Sequence, residues 1–136
     1  MKKKTAFFVL VAIVVVSCIS ASARASLYLF NYSASVYSGD TGEIIVEFDV
    51  TANQISDEIG ASKITIYREN GLMDSTITGT VSNGLISTSD AFHNGSYTFK
   101  NLTPGDYYYA EVTVFAEDGG GSDSRVIETR LIRAPY

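Results

Sequence analysis

The sequence predicts an all-β fold: an antiparallel β-sandwich of seven or eight strands behind an N-terminal signal peptide. Three observations predict it. Apolar residues in the body of the chain alternate with polar ones and show no helical period. Clusters of Gly, Asn, Asp and Ser interrupt these runs at short intervals. The N-terminus carries Lys2, Lys3 and Lys4, then a nearly apolar run from Ala6 to Ile19, then small residues. Basic start, apolar run and small-residue site together read as a secretory leader.

The apolar run is shorter than the roughly 20 residues that span a bilayer core. Small residues stand at the first and third positions before a cut in both Ala21-Ser22-Ala23 and Ala23-Arg24-Ala25. Cleavage after Ala25 is favoured, giving a signal peptide over 1–25 and one domain over 26–136 that begins at Ser26. A second reading rests on Cys18. The stretch Val15-Val16-Ser17-Cys18 resembles a permissive bacterial lipobox. A cut before Cys18 would put a lipid on its thiol and hold the protein on the outer side of the cytoplasmic membrane. Otherwise no membrane association is expected.

The leader takes four of the ten basic residues and none of the fifteen acidic ones, leaving six against fifteen and a formal charge of −9. So acidic a domain repels nucleic acid and anionic lipid, which excludes a nucleic-acid partner. It also has no cysteine after Cys18, hence no disulfide framework and no thiolate metal site. A domain of this length builds a core without such staples.

The strands follow in order. Tyr28, Phe30 and Tyr32 alternate in a first strand, and Ser38 to Gly42 is a turn. Glu43 to Thr51 is the clearest strand, with Ile44, Val46, Phe48 and Val50 on a core face and Glu47 and Asp49 on a wet one. Asn53 to Ser62 reads as a loop with one helical turn near Asp57. Lys63 to Arg68 is a strand with Ile64 and Ile66 inward, closed by an Asn70-Gly71 turn. Weaker strands cover Asp74 to Val81 and Gly84 to Thr88. Asp90 to Gly95 reads as a loop before a strand from Gly95 to Leu102. Tyr107 to Glu117 is rich in β-formers, Glu117 to Asp123 is a flexible hairpin loop, and Arg125 to Arg133 ends the set.

Leu102-Thr103-Pro104-Gly105-Asp106-Tyr107-Tyr108, with Ala110, Val112 and Val114 after it, resembles the E-F corner of a fibronectin type III domain, an immunoglobulin-like sandwich. The resemblance covers Leu102 to Ser122. It implies a structural corner of Leu102, Pro104, Gly105 and Tyr108, in which the Tyr108 hydroxyl bonds back to upstream backbone. The chain departs from the family in having no tryptophan, so Phe48 takes that place in the core. The whole chain also resembles small signal-bearing proteins of Gram-positive bacteria, which implies no activity.

If Tyr108 points inward, alternation turns Tyr107 and Tyr109 outward, with Glu111, Thr113 and Phe115 beside Tyr109. The neighbouring strand adds Lys63, Thr65 and Tyr67, and the last strand adds Val126, Glu128, Arg130 and Ile132. Tyr67, Tyr109, Phe115 and Ile132 would then share one face among charges. Such aromatics read in two ways: as ordinary cross-strand pairs, or as a ligand patch for a protein or carbohydrate.

Chemistry for catalysis is sparse. His93 is the one histidine. Asp90 and Ser96 are near it in sequence, which is not triad geometry. Zinc needs more imidazoles or thiolates than the chain has. Glu117, Asp118 and Asp123 flank a glycine loop of the oxygen-rich kind calcium uses, and the same residues are plain hairpin chemistry. The expectation is a small secreted binding module that is not an enzyme and carries no cofactor and no metal. Its candidate site is Tyr67, Tyr109 and Phe115 on the sheet face, with Asp118 and Asp123 at the loop end. The alternative is a structural, self-assembling cell-surface subunit, lipid-anchored through Cys18.

Overall fold

A computed structural model describes residues 28–136. The leader over 1–25 and the lipid reading of Cys18 lie outside the described residues.

Seven strands build the described chain: β1 (Leu29–Ser38), β2 (Ile44–Arg68), β3 (Met73–Thr78), β4 (Ile86–Phe99), β5 (Tyr107–Asp118), β6 (Gly121–Glu128) and β7 (Ile132–Arg133). They pair antiparallel throughout and form one curled sheet. The curl follows from β2, which runs 25 residues without a break. Its first half lies between β1 and the later part of β4. Its second half lies beside β5, with β3 and the start of β4 on the other side. One limb therefore reads β1-β2-β4 and the other β3-β2-β5-β6, with β7 continuing beside β5.

The bend is written in the parity of the buried residues. Ile44, Val46, Phe48, Val50 and Ala52 are buried at even positions, Ile59 and Ala61 at odd ones, and Ile64 and Ile66 at even ones again. A strand has a strict period of two, so each change of parity needs an irregularity that turns the backbone over. Irregularities occur at both places, between Thr51 and Ser56 and between Ala61 and Lys63. Gly60 sits between them at φ 152°, where a Cβ would overlap the carbonyl oxygen of Leu85. Only glycine fits a backbone approach of that kind.

The expected loop over Asn53 to Ser62, with its helical turn, is thus corrected to strand. Its polar residues suggested a loop, yet Gln54, Asp57 and Glu58 occupy exposed or half-exposed positions where the limbs join. The same holds for Asp90 to Gly95, which lies inside the single strand β4. The first strand extends to Ser38, and the Glu117–Asp123 loop shrinks to a tight turn at Gly119-Gly120.

The curl brings the inner faces of both limbs together in one core. Val36, Val46, Phe48 and Val50 from one limb meet Ile64, Ile66, Val112 and Val114 from the other. Each such aliphatic side chain, fully buried, contributes roughly 1.5–3 kcal/mol. Phe48 is buried against Gly95 and the His93 ring, whose centroid is 5.9 Å away. Ile132, expected outward, is corrected to the core at 8% exposure. Its strand breaks off after Glu128 and resumes as β7, opposite the inward Tyr108.

Candidate binding face

The turn from Leu102 to Tyr107 sets the register of β5. Tyr108 is fully buried, and its hydroxyl accepts the Thr103 N–H at 3.0 Å. Leu102 is buried, and its N–H donates to the Gly42 carbonyl at 3.0 Å. Gly105 takes φ 89°, and its N–H donates to Ala134 at 2.8 Å, while Pro104 stays exposed in the turn. With Tyr108 fixed inward, alternation places Tyr109, Glu111, Thr113, Phe115 and Glu117 on the outer face of the β3-β2-β5-β6 limb.

Register then fills that face row by row. Tyr67 lies opposite Tyr109, Thr65 opposite Glu111, Lys63 opposite Thr113 and Gly60 opposite Phe115. On the far side of β5, Glu128 lies opposite Glu111, Val126 opposite Thr113 and Ser124 opposite Phe115. The Tyr67 and Tyr109 rings stack at 5.2 Å with 14° between planes. The Tyr67 hydroxyl donates to Glu111 Oε2 at 3.2 Å. Burial, and next the charge and hydrogen bond of Glu111, push the Tyr67 phenol above its ordinary pKa. Thr65, at 2% exposure, is covered on this face and shares a 2.9 Å hydroxyl contact with Thr76 of β3. Phe115 is half-buried between glycine and serine neighbours, and Val126 stands 62% exposed.

Glu111 and Glu128 are directly opposed across β5 and β6. Among the described residues, no ion pair joins either of them, or Glu69, to a cation. Beside them is an open cleft of about 420 Å³, lined by Glu69, Tyr109, Glu128, Thr129, Arg130 and Leu131. The sequence identified Glu111 and Glu128 as outward but held no signal for their register. Glu69 stands directly before the Asn70-Gly71 turn.

The loop-end candidates sit apart from this face. Asp118 accepts the Gly120 N–H at 2.8 Å and the Gln54 amide at 2.7 Å, so its carboxylate ties the β5–β6 turn to β2. Asp123 lies opposite Ala116 on the inner side, 8% exposed and paired with Arg125. Glu117 takes the opposite, outer side with Ser122. The three carboxylates flanking the glycines do not converge on one point. His93 lies on the inner side opposite Val50, with Nε2 2.8 Å from the Gly84 carbonyl oxygen. Ser96 lies on the outer side opposite Glu47, and Asp90 bonds locally to Ser87 and Ala91. Those three residues form no relay.

No family model and no curated protein matches this chain. Solved structures similar to it include a myokine structure, at 14% identity and TM-score 0.46 over 80% of this chain and 97% of that one. A candidate ApaA protein from Bordetella pertussis is similar at 8% identity and TM-score 0.48, over 79% of this chain and 92% of that one. A candidate late embryogenesis abundant protein is similar at 12% identity and TM-score 0.47, over 77% and 72%. These are small all-β domains, and the likeness extends to the β fold alone.

Proposed function

We propose that the chain is a small secreted binding module, non-catalytic, that takes its ligand on the outer face of the β3-β2-β5-β6 limb. The carrying observation is the stacked pair Tyr67–Tyr109 beside an open cleft on that face. Tyrosine presents large rigid contact area at low entropic cost, which suits a protein or carbohydrate ligand. The strand order gives a second support. Limbs β1-β2-β4 and β3-β2-β5-β6 enclosing one core follow the pattern of a fibronectin type III-like sandwich, with its second and third strands fused into β2. In that reading the Thr103–Tyr108 bond is the tyrosine corner.

The test is a screen of immobilised glycans and surface proteins against the protein and its Tyr109→Leu variant. Binding that Tyr109→Leu removes, with folding intact, supports the module. Binding that ignores the substitution contradicts the assigned face.

A second reading, a self-assembling surface subunit, draws on β1, which among the described residues pairs with β2 alone. A size that grows with concentration supports it, and a monomer at all concentrations opposes it. The proposed location outside the cell is tested by intact mass. A chain beginning at Ser26 marks release, and a lipid-bearing Cys18 marks anchoring.

A further inference from the structure

We propose that the outer face around Tyr109 binds a lysine- or arginine-bearing segment of a partner protein. The inference rests on the binding-face reading and narrows its ligand class.

Like charges directly opposite one another in a sheet are destabilising, yet register sets Glu111 against Glu128. Glu111 accepts the Tyr67 hydroxyl, but among the described residues no cation offsets the pair. Lys63 lies one row away, opposite Thr113, without an ion pair to either glutamate. Arg130 borders the cleft, but its Nη2 donates to the Val36 carbonyl of β1 at 3.3 Å. Glu69 lines the same cleft as Glu128 and brings a second carboxylate to it. A local rule broken without a compensating cation is expected where function holds the residues in place.

The chemistry of the cleft also favours a cation over a neutral sugar. A sugar hydroxyl needs donors as well as acceptors. The Thr129 hydroxyl is already committed, accepting from Ala110 N at 2.9 Å and donating to the Arg130 carbonyl at 3.1 Å. The two carboxylates, of Glu69 and Glu128 beside the Tyr109 ring, outnumber the one guanidinium of the cleft, that of Arg130, whose Nη2 is held by Val36. An ammonium or guanidinium matches both parts, pairing with the carboxylates and resting against the aromatic. The excess of acidic over basic residues in the domain adds a long-range pull on a basic partner.

The test is calorimetric titration of the purified protein with hexalysine and, separately, with cellohexaose. The proposal expects hexalysine to bind and the affinity to fall as salt is raised. The double change Glu69→Gln with Glu128→Gln should weaken it roughly tenfold. The control pair Glu47→Gln with Asp49→Asn removes equal charge from the outer face of the other limb and should change affinity less than about twofold. Equal losses in the two double variants would mean general charge attraction and overturn the proposal, as would an absence of hexalysine binding. If cellohexaose binds instead and Tyr109→Leu removes it, the ligand class is wrong while the binding face stands. If neither ligand binds and the screen finds no Tyr109-dependent partner, both fall.

Discussion

Tyr67 and Tyr109 lie directly opposite each other on neighbouring strands, their rings stacked 5.2 Å apart and nearly parallel. The pair is not free-standing. Tyr67 also donates its hydroxyl to Glu111, two residues along β5 on the same face. An aromatic platform, a carboxylate and a cleft are therefore held in fixed relation by one stretch of β5. That stretch is fixed in turn by the buried Tyr108 next to it.

The Tyr67 phenol should ionise above the ordinary phenol range, because burial and the Glu111 carboxylate both oppose its charged form. The sign follows for stability. A pKa raised in the folded state gives stabilisation that is complete below the unfolded phenol value near 10 and lost as pH rises toward the folded value. Phenolate absorbance against pH checks this. Glu111→Gln should bring the late step earlier, and Tyr67→Phe should remove it.

Tyr108→Phe removes the hydroxyl that accepts the Thr103 N–H and leaves the ring in place. The expected loss is about 1 kcal/mol, or somewhat more if the N–H finds no water. Urea unfolding checks it, with an unchanged slope showing that the fold is intact.

Gly60→Ala should cost roughly 3 kcal/mol, because a methyl there meets the Leu85 carbonyl and the backbone holds φ 152°. Gly119→Ala, in the exposed turn with open space around it, should be mild by comparison. Thermal unfolding of the two side by side checks whether the bend in β2 depends on Gly60.

Much of this fold was legible because its strands are half-buried. Ile44 to Val50 and Tyr108 to Val114 alternate cleanly, and a clean alternation fixes both strand and facing. The long bend of β2 was not legible. Alternation is a local signal, and a bulge cancels it by shifting the phase. Gln54 to Glu58 therefore looked like loop residues, although backbone pairing with β4 and β5 holds part of that stretch as strand. His93 was misread for a related reason. It follows Asp90 and precedes Asn94-Gly95, residues typical of turns, yet pairing with β2 keeps them extended. For the candidate face, the outward residues of β5 and Tyr67 could be assigned from parity. What opposes what could not, because register is a property of two strands. The Glu111–Glu128 opposition and the inward Ile132 both belong to that second kind of information.

The central claim is that ligand binds on the Tyr67–Tyr109 face, and the most direct measurement is amide shift mapping on isotope-labelled protein titrated with hexalysine and with cellohexaose. The account predicts that the amides that move cluster around Tyr67, Tyr109, Glu111 and Glu128. Shifts confined to the Asp118–Asp123 hairpin or to the Glu47–Asp49 face would contradict it.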